Sequence, residues 1–413
     1  MNETRASAER LGPTSPPLSD SLLRVLWNHR RISRADIARL TGLSRSTVSE
    51  VMATLLRSGL VSEVGVGSSS GGRRPIVLEF QDAANVILGV EMGAAHVAVA
   101  LTDLRGHVLE WRSRPHPVRD DPTGTRNLIK RLCVQCFDEA ARDPGELVGI
   151  GVAVPSPVDP ARPDALSEIV LPAWRGRLGL DALQRHYDVP LLIDNDANLG
   201  ALAEQWWGAG RGVRDLAYIK IATGIGSGHI IDRHLYRGAT GVAGEIGHVA
   251  IDPHGERCIC GLRGCLATLV GAAALVKRAQ SLMPEYPDSA LARGETSIEA
   301  IEDAAIAGDP LARRITEEAA EHLGIAIAGL LNLMNPAVVV LGGGLARVGD
   351  LLLAPLRDTV RQRTLVSSLA ASEITVGELG PRAIAIGAAT LVLDAGLANP
   401  HLFPARREQA PSA

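Results

Sequence analysis

The chain has 413 residues, 46% of them hydrophobic and 21% charged, and a net charge of −4. This is ordinary globular composition, which excludes a mainly disordered chain, and at about 100–200 residues per domain it predicts two or three domains. The charge is uneven: residues 1–80 carry eleven Arg and no Lys against seven acidic residues, a balance of +4, while residues 81–413 come to −8.

A basic head on an acidic body points to nucleic acid as a partner of the head alone. No apolar run approaches the ~18 residues of a membrane span. The opening MNETRASAERLGPTSPP lacks the apolar segment of a signal peptide, so the expected location is the cytoplasm. Five Cys make no disulfide scaffold, and in a reducing compartment a tight Cys cluster points to a metal instead.

In chain order, residues 1–18 are rich in Pro, Ser and Thr and read as a disordered arm. SDSLLRVLWNHR then places Leu22, Leu23, Leu26 and Trp27 on one helical face. SRADIARLTG predicts a second helix with Ser33 as its cap and Thr41-Gly42 as its end. LSRSTVSEVMATLLRSGL predicts a third, starting near Ser44, with Val48, Val51, Met52 and Leu55 inward. Two helices joined by a short Gly-containing turn form a helix-turn-helix, whose second helix lies in the major groove with its N-terminal residues at the base edges. Here those residues are Arg45, Ser46, Thr47 and Ser49. Alternating segments around Val61–Val66 and Ile76–Phe80 flank a Gly/Ser loop ending Gly71-Gly72-Arg73-Arg74-Pro75. This reads as a β-hairpin wing whose Arg73 and Arg74 suit the narrow minor groove. Residues 19–80 are thus expected to be a winged helix-turn-helix binding double-stranded DNA.

From about residue 86 the pattern becomes α/β. Apolar strands end in glycine or acidic turns at NVILGVEMGAAHVAVALTDLRG, ELVGIGVAVPSPVDP, VPLLIDNDANLGALAEQWWG and DLAYIKIATGIGSGHIID, and a long apolar helix precedes VVVLGGGLA. Gly-rich strand junctions spread over two halves predict two lobes with a cleft between them. This domain is expected to run over 86–398, with a tail at 399–413.

Three constellations carry chemistry. His248 followed by Cys258, Cys260 and Cys265 offers one imidazole and three thiolates, the donor set of a closed structural zinc site. Cys133 and Cys136 form a C-x-x-C within one apparent helix with no second pair nearby, which favours packing over metal binding. Asp194-Asn195-Asp196-Ala197-Asn198 directly follows the strand PLLI, where ligands of α/β proteins bind. A carboxylate there can accept from a polyol or act as a general base, although Asp and Asn also serve as helix caps. Gly244-Glu245-Ile246-Gly247-His248 adds a second acceptor, Glu245, and a His whose other N–H is free to donate when the first nitrogen binds metal.

The motifs GGRRP after a helix-turn-helix, DNDAN, GEIGH and CICGLRGC together resemble the ROK family of repressors, open reading frames and sugar kinases, in its repressor form, over about residues 19–395. The resemblance implies a two-lobed actin-like, ribonuclease-H-like core. It implies zinc held by His248, Cys258, Cys260 and Cys265. It implies sugar contacts from Asn195, Asp196, Glu245 and His248, with Asp196 at the kinases' catalytic-base position, and an assembly of at least two chains.

The sequence also departs from the family. Ala267 stands where members carry a sugar-binding Glu, Val170 stands where an Asn precedes Leu-Pro-x-Trp, and the Pro-Gly turn reads Pro155-Ser156. Each lost polar contact costs on the order of 1–3 kcal/mol if its sugar partner is left unpaired, which argues against a plain glucose-like ligand. The Asp-x-Gly-x-Thr phosphate turn reads Glu91-Met92-Gly93-Ala94-Ala95, although Asp103-Leu104-Arg105-Gly106, Thr223-Gly224-Ile225-Gly226-Ser227-Gly228 and Gly342-Gly343-Gly344 persist. The expectation is a non-enzymatic regulator, in the repressor mould, that answers to a small carbohydrate, works as a homo-dimer or homo-tetramer and retains Asp196 as a vestigial base. The alternatives are an ATP-dependent sugar kinase fused to a DNA-binding head and a repressor controlled by a protein partner.

Overall fold

A computed structural model describes residues 18–57, 59–66, 76–364 and 372–403. The arm before Leu18, the wing tip with Arg73 and Arg74, and the tail beyond Phe403 lie outside the described residues. Contacts divide the chain into two units, one of residues 1–85 with 393–413 and one of residues 86–392.

The smaller unit opens with helix α1 (Leu18–His29), strand β1 (Arg31–Ser33), α2 (Arg34–Thr41) and α3 (Arg45–Arg57). Ser33 caps α2, its hydroxyl accepting from the Asp36 amide at 3.1 Å, and Gly42 ends it in the left-handed region at φ 70. Such a residue closes a helix while turning the chain. Leu22, Leu23 and Leu26 of α1, Ile37 of α2, and Val48, Met52 and Leu55 of α3 form the buried seam. Strands β2 (Val61–Val66) and β3 (Ile76–Phe80) pair antiparallel, with the bounds expected from their alternation. Strand β1 was not foreseen: three residues, RIS, are too short for periodicity to register. It completes a β1-β3-β2 sheet. Arg24 of α1 pairs with Asp394 at 2.7 Å, so the chain around residue 394 packs into this unit.

The larger unit repeats one topology. Strands β4 (Val86–Met92), β5 (His96–Asp103) and β6 (Val108–Pro115), helix α4 (Pro122–Glu139), β7 (Leu147–Val154), α5 (Asp181–Tyr187) and β8 (Leu191–Asn195) make the first lobe, with sheet order β6-β5-β4-β7-β8. Helix α6 (Asp196–Trp207) leads to the second: β9 (Leu216–Ile221), β10 (Ile225–Ile231), β11 (His234–Tyr236), α7 (Ala267–Val270), α8 (Ala272–Leu282), α9 (Ile298–Ala307), α10 (Pro310–Met334), β12 (Val338–Gly342), α11 (Asp350–Arg363) and β13 (Glu373–Val376). Its order, β11-β10-β9-β12-β13, is the same arrangement. In each sheet the first strand pairs antiparallel with the second and parallel with the fourth. Both first strands are buried, as continuous apolar runs covered on two faces must be.

Helix α6 packs on β9 and β10, and the last helix, α12 (Ala383–Ala398), packs on the first sheet. A Cβ on Gly151 would sit 1.8 Å from the Ala388 carbonyl, so only glycine admits this approach. The two helices touch where Gly387 meets Leu199. The segment Gly380–Ala398 corrects the expectation that no apolar run approaches membrane-spanning length: it meets that length and composition. It is a core helix here, 67% buried, because it covers a sheet face.

Cys133 and Cys136 pack in α4 against β5, the Cys136 thiol donating to the Val99 carbonyl at 3.7 Å. Burial pushes both thiols up, Cys136 to about 12, so they sit as neutral apolar groups.

Candidate functional site

The structure brings the His/Cys residues together. His248 ends a short 3-10 turn, and Cys258, Cys260 and Cys265 lie on a loop folded back beside it. One donor atom from each of the four lies within 4.8 Å of the others. The Cys260 and Cys265 sulfurs are 3.7 Å apart, and Cys258 Sγ is 3.5 Å from His248 Nδ1. Tetrahedral zinc with ordinary bond lengths requires S···S of about 3.8 Å and S···N of about 3.5 Å. The donor set and its spacing therefore fit a tetrahedral ion. With Nδ1 so directed, His248 Nε2 faces the Glu245 carboxylate at 3.7 Å.

Glu245 is held from below. Gly244, at φ 96, lies so close to β10 that a Cβ would meet the Ser227 carbonyl at 1.9 Å. The Ser227 amide donates to the Gly244 carbonyl at 2.8 Å and its hydroxyl donates to the same carbonyl at 3.0 Å. That leaves the Ser227 oxygen to accept from His229 Nε2 at 2.9 Å. Burial pushes His229 down to about 4, so the ring is neutral and donates once. Burial, and then the charge of Asp196, raises the Glu245 carboxyl above its ordinary value.

The acidic turn divides its labour. Asn195 caps α6: its Oδ1 accepts from the Ala197 and Asn198 amides at 2.9 and 3.2 Å, and its amide donates to the Ser156 carbonyl at 3.2 Å. Asp194 is buried and paired with Arg237 at 2.6 Å, and it accepts from Asn198 at 2.9 Å. Asp196, at the first position of α6, faces Lys220 of β9, whose ammonium donates to Oδ2. Burial pulls the Lys220 ammonium down, but Asp196 and Glu91 more than offset it, and the net direction is up. Glu91, near the end of β4, is 3% exposed. Its Oε1 lies 3.2 Å from His96 Nε2, and its Oε2 is buried without a hydrogen-bond partner.

Sequence reasoning missed Lys220 and Arg237. The visible signal was composition: Lys220 is one of three lysines in the chain and lies in an otherwise apolar strand. At the departures, Val170 packs against the apolar core of the first lobe and Ala267 opens α7. The Ser156 hydroxyl is tied internally, accepting from the Ser167 amide at 3.1 Å and donating to the Pro157 carbonyl at 3.2 Å.

In the smaller unit, Ser44 starts α3, its hydroxyl accepting from the Thr47 amide at 3.1 Å. Arg45 and Ser46 are exposed, and Thr47 and Ser49 half-buried, on the first turns. Arg31 and Arg34 are paired with Glu79 and Glu63, each at 2.6 Å, whereas Arg45 has no ion pair among the described residues. Exposed Arg45 thus leaves one uncompensated positive charge at the start of this helix.

The ROK family profile matches residues 87–395, and a winged helix-turn-helix DNA-binding profile matches residues 21–62. The chain is 31% identical to the xylose repressor of Caldicellulosiruptor bescii, over 92% of this chain and 96% of that one. It is 31% identical to the Escherichia coli transcriptional dual regulator NagC, over 91% of each. Among solved structures, a ROK family transcriptional regulator described as a homologue of the E. coli MLC protein covers 93% of this chain and 96% of its own, at 26% identity and a TM-score of 0.78. A ROK family glucokinase from Streptomyces griseus, in complex with glucose and AMPPNP, covers 74% of this chain and 99% of its own, at 29% identity and a TM-score of 0.67.

Proposed function

The chain belongs to the ROK family, and from that premise we propose that it is a DNA-binding transcriptional regulator, acting as a repressor of carbohydrate metabolism, whose sensor domain binds a sugar. The observation that carries this reading is coverage: the repressors match it through both units, whereas the glucokinase matches 74% of it. In this reading residues 19–80 are the DNA-binding domain and 86–398 the sensor, with an arm at 1–18 and a tail at 399–413. Arg45, Ser46, Thr47 and Ser49 read base edges, and Arg73 and Arg74 hold the minor groove. Asp196, Glu245 and His248 Nε2 meet the effector hydroxyls, and Asn195 positions Asp196 by capping α6. A zinc ion held by His248, Cys258, Cys260 and Cys265 fixes the loop that carries Glu245; bound there it supplies structure rather than chemistry. The protein works in the cytoplasm as a dimer or tetramer, an assembly that half-site geometry favours. The effector shifts operator affinity by binding one lobe arrangement better than the other.

Kinase activity is not part of this reading. Phosphoryl transfer depends on positioning metal and phosphates. Ala95 carries no hydroxyl, Glu91 is a methylene longer than the family's Asp, and Asp196 is neutralised by Lys220. The third glycine turn is backed by a carboxylate: Glu302 Oε1 lies 2.7 Å from where a Cβ on Gly344 would sit, and Glu302 pairs with Arg347 at 2.5 Å. A coupled ADP-release assay over hexoses, pentoses and amino sugars should give no sugar-dependent turnover. Turnover abolished by Asp196→Asn would establish the kinase instead.

A further inference from the structure

The strand ends beneath the effector site hold an unusual charge set. Glu91 on β4 and Lys220 on β9 occupy equivalent positions in the two repeated sheets, each the last residue but one of its first strand. Asp196 bridges to Lys220, and both carboxylates act on that ammonium. The neighbouring cation, Arg237, is taken by buried Asp194. The histidines nearby add little: His229 is turned to Ser227, His248 to the Cys cluster and Glu245, and His96 to Glu91. Two carboxylates, Asp196 and Glu91, thus share one ammonium that is already paired.

A helix N-terminus is the usual answer to a phosphate, but at α6 the amides of Ala197 and Asn198 donate to the Asn195 side chain. What the site lacks is a donor. Glu91 Oε2 is buried, unpartnered and an acceptor only.

Resting on the sugar-effector reading above, we infer that the effector is an unphosphorylated sugar, with Glu91 and Lys220 as the residues that set this specificity. Hydroxyl hydrogens of a neutral polyol suit a row of carboxylate acceptors, Glu91 Oε2 among them. A phosphate ester brings two negative charges into a partly buried site that is already net negative, where like charges repel strongly. Lys220 cannot offset this, because releasing it to the ester would strip Asp196 of its counter-ion.

The test is titration calorimetry on the full-length protein with glucose, xylose and N-acetylglucosamine, and with glucose 6-phosphate, xylose 5-phosphate and N-acetylglucosamine 6-phosphate. A parent sugar should bind at least about a hundredfold tighter than its ester, as expected for a dianion beside uncompensated carboxylates. Glu91→Gln should close about tenfold of that gap, since it removes one charge at nearly constant shape. An ester that binds as well as its parent overturns the inference, and so does a gap that Glu91→Gln leaves intact. Should no sugar and no ester bind, the sugar-effector reading itself fails, and the inference falls with it.

Discussion

In the proposed reading, the head and the sensor recognise their partners by opposite means. In the head, the side chains proposed to read DNA are exposed or half-buried on the first turns of α3, and the packing beneath them is aliphatic. In the sensor, the proposed effector contacts are held by other polar groups: buried Asp196 by Lys220, and half-buried Glu245 by the Ser227–His229 pair acting through Gly244. In the head, partner choice and stability are therefore separable, and a surface Arg can change without disturbing the fold. In the sensor they are the same residues, and changing specificity changes stability.

The largest expected effect tests the buried side of this contrast. Lys220→Met leaves Asp196 and Glu91 without their cation, and removing one partner of a buried pair costs about 3–5 kcal/mol. Denaturant unfolding should register that loss. A change below about 1 kcal/mol would mean that the pair is open to water and that the contrast is overdrawn.

His229 gives a comparable effect through pH. Its folded value, about 4, lies below the ordinary 6.5. At pH values between the two, the unfolded chain binds a proton that the folded chain does not, so the contribution is complete above 6.5 and is lost as pH falls toward 4. The full loss is up to about 3 kcal/mol. Melting temperatures of wild type and His229→Gln across that window should converge at the acid end.

Zinc sharpens the contrast further. Metal analysis should find one zinc per folded chain, and Cys260→Ser should lose the metal and the effector response together, because ligation and loop folding are coupled. DNA binding in the absence of effector should survive.

In the head the effects are smaller and confined to DNA. Arg45→Ala should cost about 1–3 kcal/mol of discrimination at one base position with no change in melting temperature. Alanine at both Arg73 and Arg74 should lower the salt dependence of binding by about two phosphate contacts.

What the sequence made legible follows the same division. Ser33, Gly42 and the Val61–Val66 and Ile76–Phe80 strands are local signals, a cap, a left-handed turn residue and an alternation, and the structure places each where its chemistry predicts. The Cys258–Cys265 loop was equally legible, since its thiols lie within a few residues of one another. Lys220 and Arg237 were not: each meets its carboxylate from a different strand region, 24 and 43 residues away, and no local period marks such a pairing. The Asn195 cap stood in the sequence beside the sugar-contact reading, and its three hydrogen bonds use the Oδ1 acceptor twice and one of its two N–H donors. The apolar run of α12 was passed over for a similar reason. Its burial depends on Gly89, Gly149 and Gly151, which lie more than two hundred residues upstream.

The most direct measurement is DNA binding by the full-length protein to a sequence it selects from a random library, followed by anisotropy as neutral sugars are added. We predict binding to one preferred sequence and a shift of at least about tenfold in its Kd with one unphosphorylated sugar, the coupling of about 1.4 kcal/mol typical of an allosteric effector. A protein that selects no sequence, or whose DNA affinity no sugar changes, would contradict the reading.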